Sequence, residues 1–393
     1  MSLEHTTETV LNSMENYLEE EKYKGWDPHD GLNSPFLSSL WEKNKIPSIL
    51  FLQLVKRSHL NLRPILNIPK SYNPKGIALF LESYILKYKI FKDQESLTKA
   101  KFFAEWLINN YSKGYSNNCW GYPFDWANRK FFAPKWTPNI VVTVFCANAL
   151  LNYYSLTKNK VYLDSVKSSC NFIIQDLHIT KKMDSICFSY TPIDKTCIHN
   201  ANMLGSSLLA KIGNISNINE YKEYAIKSMN FSAKSQQPDG SWFYGEDQSQ
   251  KWIDSFHTGY NLMAFSSFIK AIDTPDFKNI LTKGYDFYKK KFFLPDGTVK
   301  YYHNKIYPLD SHSFAHAIIC LHQLSYLEDN HKLLKRIIQK LFSLFWSGKG
   351  YFYYKKNNFG TVKTPFMRWT QAWIFLSLFS YLDYIRNHNQ LIP

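Results

Sequence analysis

Residues 239–272 read DGSWFYGEDQSQKWIDSFHTGYNLMAFSSFIKAI, and this stretch decides the fold. It opens with a Gly-containing turn followed by aromatic residues, a pattern that predicts a short β-hairpin. It then becomes a long apolar segment with small residues near its start, which predicts a buried helix. The stretch therefore predicts one structural unit, in which a hairpin leads into an apolar helix.

The same unit recurs along the chain, which is typical of a repeat protein. Downstream copies occupy residues 296–324 and 350–382, and upstream copies occupy residues 118–154 and 183–212. An earlier apolar helix, at about residues 74–91, brings the number to six. The other five apolar helices are predicted to begin near Pro138, His199, Phe256, Asp310 and Pro365.

Amphipathic helices are predicted between the apolar ones. Residues 219–237, for example, place apolar side chains at helical spacing while Lys and Glu fill the opposite face. An inner ring of apolar helices inside an outer ring of amphipathic helices buries both kinds of apolar surface. The sequence therefore predicts an all-α fold, an (α/α)6 toroid of helical hairpins with short β-hairpins at the mouth where the inner helices start. We expect one domain over residues 1–393, with an N-terminal cap segment at 1–60 and six hairpin repeats at 74–393.

Composition and charge restrict the function classes. The chain has 45% hydrophobic residues, enough for a large core, and a formal net charge of +15. The basic residues are spread along the chain instead of forming a stripe, which argues against nucleic acid as a partner. The charge then has two interpretations. It attracts an anionic partner such as an acidic glycan, a sugar nucleotide or a membrane surface, or it is a compositional bias without function.

Cysteine usage and hydropathy indicate the compartment. The six cysteines are scattered and form no CxxC pair, which is typical of reduced thiols in the cytoplasm. The chain has no run of eighteen apolar residues, and its N-terminus lacks the pattern of a signal peptide. We therefore predict a cytoplasmic protein without a transmembrane segment, and we expect no metal site and no cofactor.

Polar residues interrupt the apolar helices near their starts, and in a toroid those starts share one mouth. Burying an ionisable group without a partner is costly, so such residues indicate a cavity. Asp-x-x-His in WIDSFHTGY and Asp-x-His in LDSHSFAHA occupy equivalent places in adjacent repeats, which supports a shared pocket. The sequence predicts an acid/base set at this mouth that consists of Asp254, His257, Tyr260, Asp310 and His312.

A substrate-binding set is predicted around the acid/base residues. Aromatic rings at a mouth stack on sugar faces, although packing between hairpins also explains them. Arg368 is the candidate clamp for a carboxylate or phosphate, because a guanidinium binds either group in bidentate fashion. Helix capping and structural histidines remain alternative explanations for the polar members. The set consists of Trp26, Asp27, Asp30, Trp120, Asp125, Trp126, His199, Asn202, Trp242, Tyr244, Arg368, Trp369 and Gln371.

Several segments carry a family resemblance. HNANMLGSSLLA, DGSWFYGE, WIDSFHTGYNL, LDSHSFAHA and RWTQAW, together with the N-terminal KGWDPHDGLNS, occur over nearly the whole chain. In these segments the sequence resembles bacterial polysaccharide-biosynthesis proteins of the VpsJ type. That group is similar in architecture to unsaturated glucuronyl hydrolases and N-acylglucosamine 2-epimerases. The resemblance implies a toroid and a glycan context, but it implies no particular reaction.

Three functions stay open at this point. The first is an enzyme of bacterial polysaccharide biosynthesis that acts on an anionic saccharide or sugar nucleotide by acid/base chemistry, as a hydrolase, a lyase or an epimerase. The second is a non-catalytic glycan-binding or assembly component that uses the same mouth. The third is a terpenoid-cyclase-like toroid, because the DGSW element is similar to the QW-type motif of those enzymes, although their Asp-rich acid motif is absent.

Overall fold

The computed structural model describes residues 2–35, 45–127, 131–274 and 276–389, and most of them are helical. The helices in chain order are α1 (Leu3–Glu20), α2 (Lys45–Arg57), α3 (Pro74–Phe91), α4 (Gln94–Asn109), α5 (Ile140–Thr157), α6 (Lys160–Gln175), α7 (His199–Ile215), α8 (Asn219–Ala233), α9 (Ser255–Ala271), α10 (Asp276–Phe292), α11 (Ser311–Gln323), α12 (His331–Phe345) and α13 (Trp373–Asn389).

Six of these helices form a closed inner ring. In the order α3, α5, α7, α9, α11 and α13, each helix packs against the next, and α13 packs back on α3. Each of the outer helices α4, α6, α8, α10 and α12 packs against the inner helix that precedes it. One contiguous apolar core runs through both rings. The predicted all-α (α/α)6 toroid is thereby confirmed.

Polar caps set where the inner helices begin. The side chains of Asn73, Asn139, Asp254 and Asp310 each accept a hydrogen bond from a backbone N–H in the first turn of the following helix. These four helices begin within two residues of their predicted starts, and so does α7, which begins at His199 without a side-chain cap. The last one differs, because a π-helical segment at Met367–Ala372 precedes α13 and delays its regular start.

Helix α1 is the outer partner of the last inner helix. It packs against α13, and its side chains Met14 and Leu18 are fully buried. Arg386 of α13 donates to Glu8 of α1, with an Nη2–Oε1 distance of 3.0 Å. The sequence instead predicts this helix as part of a cap segment at residues 1–60. Residues 74–389 supply five hairpins and one inner helix, and the chain's first helix completes the sixth hairpin.

Short strands lie next to the starts of the inner helices. Their ranges are β1 (Trp126–Ala127), β2 (Phe132–Ala133), β3 (Ile179–Lys182), β4 (Ser185–Phe188), β5 (Leu309–Asp310), β6 (Lys355–Asn357) and β7 (Gly360–Val362). β1 pairs with β2, β3 pairs with β4, and β6 pairs with both β5 and β7, all antiparallel. Two predicted elements fall partly outside the described residues, namely the tip of the first hairpin (128–130) and part of the cap (36–44).

The hairpins predicted after Asp239 and Asp296 are turns with isolated bridges. Gly240 and Gly297 adopt positive φ angles of 90° and 86° there. A Cβ atom at Gly240 would lie 2.3 Å from the carbonyl oxygen of Lys283, which belongs to the outer helix α10. These segments therefore press their backbone against an outer helix, and that contact replaces a regular strand ladder.

Helix α5 is, within the described part of the chain, the one helix that is long and apolar enough to cross a membrane by length and composition. Of its 18 residues, 61% are buried inside the toroid, which is the pattern of an inner helix. The criterion is weak evidence when a single helix meets it.

The role of α1 can be tested by truncating one of its core side chains. Leu18 is fully buried against the inner ring, so Leu18→Ala should lower the free energy of unfolding by about 2–5 kcal/mol. Leu54 in α2 is 61% exposed and provides the matched control, with an expected change below about 0.5 kcal/mol. Urea unfolding followed by circular dichroism measures both values. Equal effects would contradict the assignment of α1 to the ring.

Candidate active site

A cavity of 520 Å³ opens at the mouth of the toroid where the inner helices start. Its size is that of a pocket for a small molecule. Aromatic side chains form much of its wall, and Tyr244 and Trp252 stack there with ring centres 4.4 Å apart. Eight residues of the two predicted sets line this cavity, and these are Trp126, Tyr244, Asp254, His257, Tyr260, His312, Arg368 and Trp369.

Asp254 and His257 form an oriented pair in the first turn of α9. Asp254 caps the helix through its Oδ1 atom, which accepts from the His257 backbone N–H at 2.9 Å. Its Oδ2 atom lies 2.7 Å from the Nδ1 atom of His257 and accepts from the indole of Trp252 at 3.1 Å. The aspartate is buried, whereas the histidine side chain is 20% exposed. Nε2 of His257 is thus the ring nitrogen left for a ligand, which is the arrangement of an oriented acid/base histidine.

Tyr260 and His312 form a second, deeper polar group. The Tyr260 hydroxyl lies 3.3 Å from Nε2 of His312 and 3.2 Å from Nζ of Lys75. Burial raises the pKa of Tyr260 well above its usual value, so the phenol keeps its proton. Burial lowers the pKa of His312 well below its usual value. The floor of the cavity therefore presents a protonated phenol beside a neutral imidazole.

Asp310 supports this floor from behind. It caps α11 by accepting from the His312 backbone N–H at 3.0 Å, and it accepts from the Trp369 indole at 3.2 Å. Lys355 completes its surroundings at 3.7 Å. The carboxyl group is fully buried and lies outside the cavity wall. The predicted acid/base role of Asp310 is therefore corrected to one of positioning, because its oxygens face protein donors.

Arg368 forms a buried bidentate ion pair with Asp27 of the N-terminal loop. Its Nε atom lies 2.5 Å from Oδ2 and its Nη2 atom lies 2.8 Å from Oδ1. Burial alone would raise the pKa of Asp27, but Arg368 and His29 outweigh it and hold that pKa below its usual range. The predicted clamp for a substrate anion is therefore corrected, because Asp27 already occupies the guanidinium.

The rest of the N-terminal loop is held in the same way. Nε of Arg63 lies 2.7 Å from Oδ1 of Asp30, and the same guanidinium donates to the carbonyl of Asp27. The Trp26 indole donates to the carbonyl of Ile68 at 2.9 Å. Trp26, Asp27 and Asp30 fasten the loop across the mouth. Their predicted contact with substrate is corrected to a structural one, because protein groups satisfy their polar atoms.

Six further residues predicted to bind substrate lie outside the cavity wall. Gln371 pairs with both backbone groups of Phe352, and the indole of Trp242 donates to the Ser232 carbonyl. Asn202 donates to the Ser228 carbonyl. Each of these bonds of Gln371, Trp242 and Asn202 attaches a loop or an inner helix to a neighbouring segment. The six are Trp120, Asp125, His199, Asn202, Trp242 and Gln371.

Two lysines in the cavity wall were missed by the sequence reasoning. Lys75 lies in the first turn of α3 and obeys the same rule as the predicted residues, because it is a polar side chain at the start of an apolar helix. Lys56 lies at the end of α2, and no helical pattern connects that segment to the mouth. Its Nζ atom lies 2.7 Å from Nε2 of His29, whose Nδ1 atom lies 3.3 Å from Asp27. Burial, followed by the charge of Lys355, lowers the pKa of Lys56 to about 7.

Comparison with known proteins identifies the architecture. No family model and no curated protein matches the sequence. Among solved structures, the Lin0763 protein from Listeria innocua has a TM-score of 0.66 at 14% identity, covering 99% of both chains. Cellobiose 2-epimerase from Bacillus thermoamylovorans has a TM-score of 0.61 at 12% identity, covering 80% of this chain and 90% of that one. An unsaturated glucuronyl hydrolase specific for heparin has a TM-score of 0.59 at 15% identity, covering 81% and 89%.

These likenesses establish a shared fold. The predicted architectural similarity to unsaturated glucuronyl hydrolases is confirmed at the level of the fold. The epimerase with this fold is a cellobiose 2-epimerase, whereas the prediction named N-acylglucosamine 2-epimerases. At these identities the similarity carries no activity with it. The chain is therefore an (α/α)6 toroid, a fold that it shares with a cellobiose 2-epimerase and an unsaturated glucuronyl hydrolase.

The structural role of Arg368 can be tested by removing its charge. Arg368→Ala should lower the free energy of unfolding by about 3–5 kcal/mol, because it removes the bidentate cationic partner of the buried Asp27 carboxylate. The double variant Asp27→Asn/Arg368→Met removes both charges and should be more stable than the single variant. Chemical denaturation measures the three chains. If Arg368→Ala is as stable as the wild type, the structural role of Arg368 is contradicted, and the residue again becomes a candidate for binding a substrate anion.

Proposed function

We propose that the protein is a carbohydrate-active enzyme that moves a proton at a sugar carbon, in the manner of an epimerase or isomerase. The observation that carries this proposal is the Asp254–His257 pair, which presents one imidazole nitrogen to a cavity walled by aromatic rings. An imidazole ring can both accept and donate a proton, which suits reversible proton transfer. Aromatic faces suit the apolar side of a sugar ring.

Hydrolysis is supported less well. A glycosidase uses two carboxyl groups on either side of the bond that it cleaves. In the part of the chain that the structure describes, the carboxylates nearest the mouth are already engaged by protein donors. Asp27 pairs with Arg368, Asp30 with Arg63, and Asp310 with Trp369 and the cap of α11, while Asp254 orients His257. The remaining reactive groups of the cavity are imidazoles, amines and phenols.

In the proposed reaction, His257 removes the proton from the carbon next to the sugar carbonyl. Asp254 holds the ring and stabilises the imidazolium that forms, as the aspartate of a catalytic triad does. Negative charge then develops on the carbonyl oxygen. The Tyr260 hydroxyl and the neutral His312, both buried at the cavity floor, are suited to stabilise that oxygen. Delivery of a proton to the opposite face of the same carbon gives the epimer, and transfer of the proton to the neighbouring carbon gives the isomer.

An anionic sugar is the substrate class that we favour. Lys56 lines the cavity and can pair with an anionic group of the substrate. Because burial lowers its pKa to about 7, it carries its charge below that pH. The net charge of +15 adds a long-range attraction for anions. With the resemblance to VpsJ-type proteins, these features favour a cytoplasmic role in bacterial polysaccharide biosynthesis, on a uronic acid, an acidic saccharide or a sugar nucleotide.

Solvent exchange tests the reaction type without knowledge of the physiological substrate. The protein is incubated in D2O with D-glucose, D-mannose, N-acetyl-D-glucosamine, cellobiose and D-glucuronate, and deuterium at C2 is followed by NMR. At least one sugar should exchange, and His257→Gln should slow that exchange by about 10²–10⁴-fold, the range of a lost general base. Binding of a sugar without exchange would instead identify a glycan-binding protein.

A matched control lies at the opposite end of the same ring. His322 in α11 also pairs with an aspartate, with a distance of 3.2 Å between its Nε2 atom and Oδ2 of Asp383. His322→Gln therefore removes an Asp–His pair at the end of the toroid opposite the cavity, and it should leave the exchange rate unchanged. Equal losses in the two variants would indicate a general effect on folding and would contradict the role of His257.

The pH dependence of anion binding tests the assignment of Lys56. Its ammonium loses its proton as the pH rises through about 7, so the affinity for D-glucuronate should fall between pH 6 and 8. Lys56→Met should weaken that binding about tenfold at pH 6, remove the pH dependence and leave D-glucose binding unchanged. Isothermal titration calorimetry measures both sugars. An equal loss for the neutral sugar would contradict a charge-specific contact.

A further inference from the structure

Lys75 lies at the centre of the ring with its amine enclosed. It belongs to the first turn of α3, directly after the helix-starting Pro74, and only 3% of the residue is exposed. Its Nζ atom lies 4.0 Å from the ring centre of Phe145, 5.0 Å from that of Tyr260 and 5.4 Å from that of Trp373. Three aromatic rings therefore surround an amine that also lines the floor of the cavity.

The polar surroundings of this amine are sparse. Its hydrogen-bond partner is the Tyr260 hydroxyl at 3.2 Å, and no carboxylate lies within ion-pair distance among the described residues. Several ionisable groups face the amine from neighbouring elements. Arg368 disfavours the protonated form of Lys75, while Asp27 and Cys146 favour it. His312 and His316 also interact electrostatically with Lys75. Asp27 is already neutralised by Arg368. Burial, followed by Arg368, accordingly lowers the pKa of Lys75 well below its usual value.

The hydrogen bonds continue beyond the amine. The Tyr260 hydroxyl that contacts Lys75 lies 3.3 Å from Nε2 of His312. We propose that Lys75 is an uncharged amine that ends a proton relay running from the cavity through Tyr260, with His312 holding the phenol in place. This inference rests on the proposed function, in which His257 transfers the proton at carbon while the relay transfers the proton at the sugar oxygen.

The relay moves one proton from the sugar to Lys75. A substrate hydroxyl gives its proton to the Tyr260 oxygen while the Tyr260 O–H bond breaks and a new N–H bond forms on Lys75. The tyrosine is neutral before and after the transfer, as its raised pKa requires. The ammonium that results lies against three aromatic faces, which stabilise a cation. The reverse transfer returns the proton to the sugar oxygen, so Lys75 acts through Tyr260 as a positioning residue and a proton store.

NMR titration of the wild-type chain tests this state without any substrate. Lysine is labelled with ¹³C at Cε, and the signal of Lys75 is assigned by its absence in Lys75→Arg. We expect Lys75 to be neutral at pH 7, whereas the exposed lysines titrate near about 10.4. Tyr260→Phe should shift the Lys75 midpoint, because it removes the hydrogen-bond partner. If the Lys75 chemical shift is that of a charged amine up to pH 9, or if Tyr260→Phe leaves the titration midpoint unchanged, the relay is overturned.

Kinetics of C2 deuterium exchange test the function of the amine. Lys75→Met and Lys75→Arg should both lower kcat about 10²-fold with little change in KM, because an arginine stays protonated and cannot accept a proton. Ethylamine should restore at least about a tenth of the lost rate to Lys75→Ala, because general-base rescue needs only a free amine. Restoration by arginine, or failure of ethylamine to rescue, would overturn the proposal in favour of a fixed charge.

A buried lysine elsewhere in the ring provides the control. Lys211 in α7 is also desolvated, but it lies at the opposite mouth, in the wall of a second cavity of 320 Å³. Lys211→Met should leave kcat unchanged and stay folded by circular dichroism. If no sugar exchanges at all, the proposed function fails while the NMR titration still decides whether Lys75 is the neutral amine. An active enzyme with a charged Lys75 would overturn the relay alone.

Discussion

The buried ion pair between Asp27 and Arg368 is the contact on which the mouth of this toroid depends. It joins residues 341 positions apart, so it fastens the N-terminal loop to the segment that starts the last inner helix. Desolvating two charges is costly, and the bidentate geometry offsets that cost. Lys56 in the cavity wall is connected to the same ion pair, because its amine lies 2.7 Å from His29 and His29 lies 3.3 Å from Asp27.

The helix caps of the inner ring have a second role in building the cavity. Asp254 and Asp310 each accept the backbone N–H that a helix start leaves unsatisfied, and each also holds a neighbouring side chain. At these two positions, one aspartate can therefore cap a helix and also hold a side chain next to the cavity. The difference between them is one of exposure, because the histidine next to Asp254 reaches the cavity while the contacts of Asp310 are buried.

Burial determines the protonation states at the cavity floor. The inner helices exclude water from Tyr260, His312 and Lys75, and a low dielectric favours the neutral form of each group. A proton transferred into this group creates charge there, and the aromatic rings around Lys75 are placed to stabilise the cation. In the proposed reaction the exposed His257 and this buried group have separate tasks, one at carbon and the other at oxygen.

The repeat pattern by itself determined the toroid, because an apolar helix must be buried on both sides and an amphipathic helix on one. It also determined the Asp254–His257 pair, since three residues apart in a first turn places a cap and a side chain together. The sequence could not determine that α1 completes the ring, because its partner α13 lies at the other end of the chain. Nor could the sequence show that Arg368 pairs with Asp27 and is not free to bind a substrate anion. It also could not show which of the lysines line the cavity. Those outcomes depend on which group lies across the mouth from each side chain, and only the tertiary structure brings such distant groups within hydrogen-bonding distance.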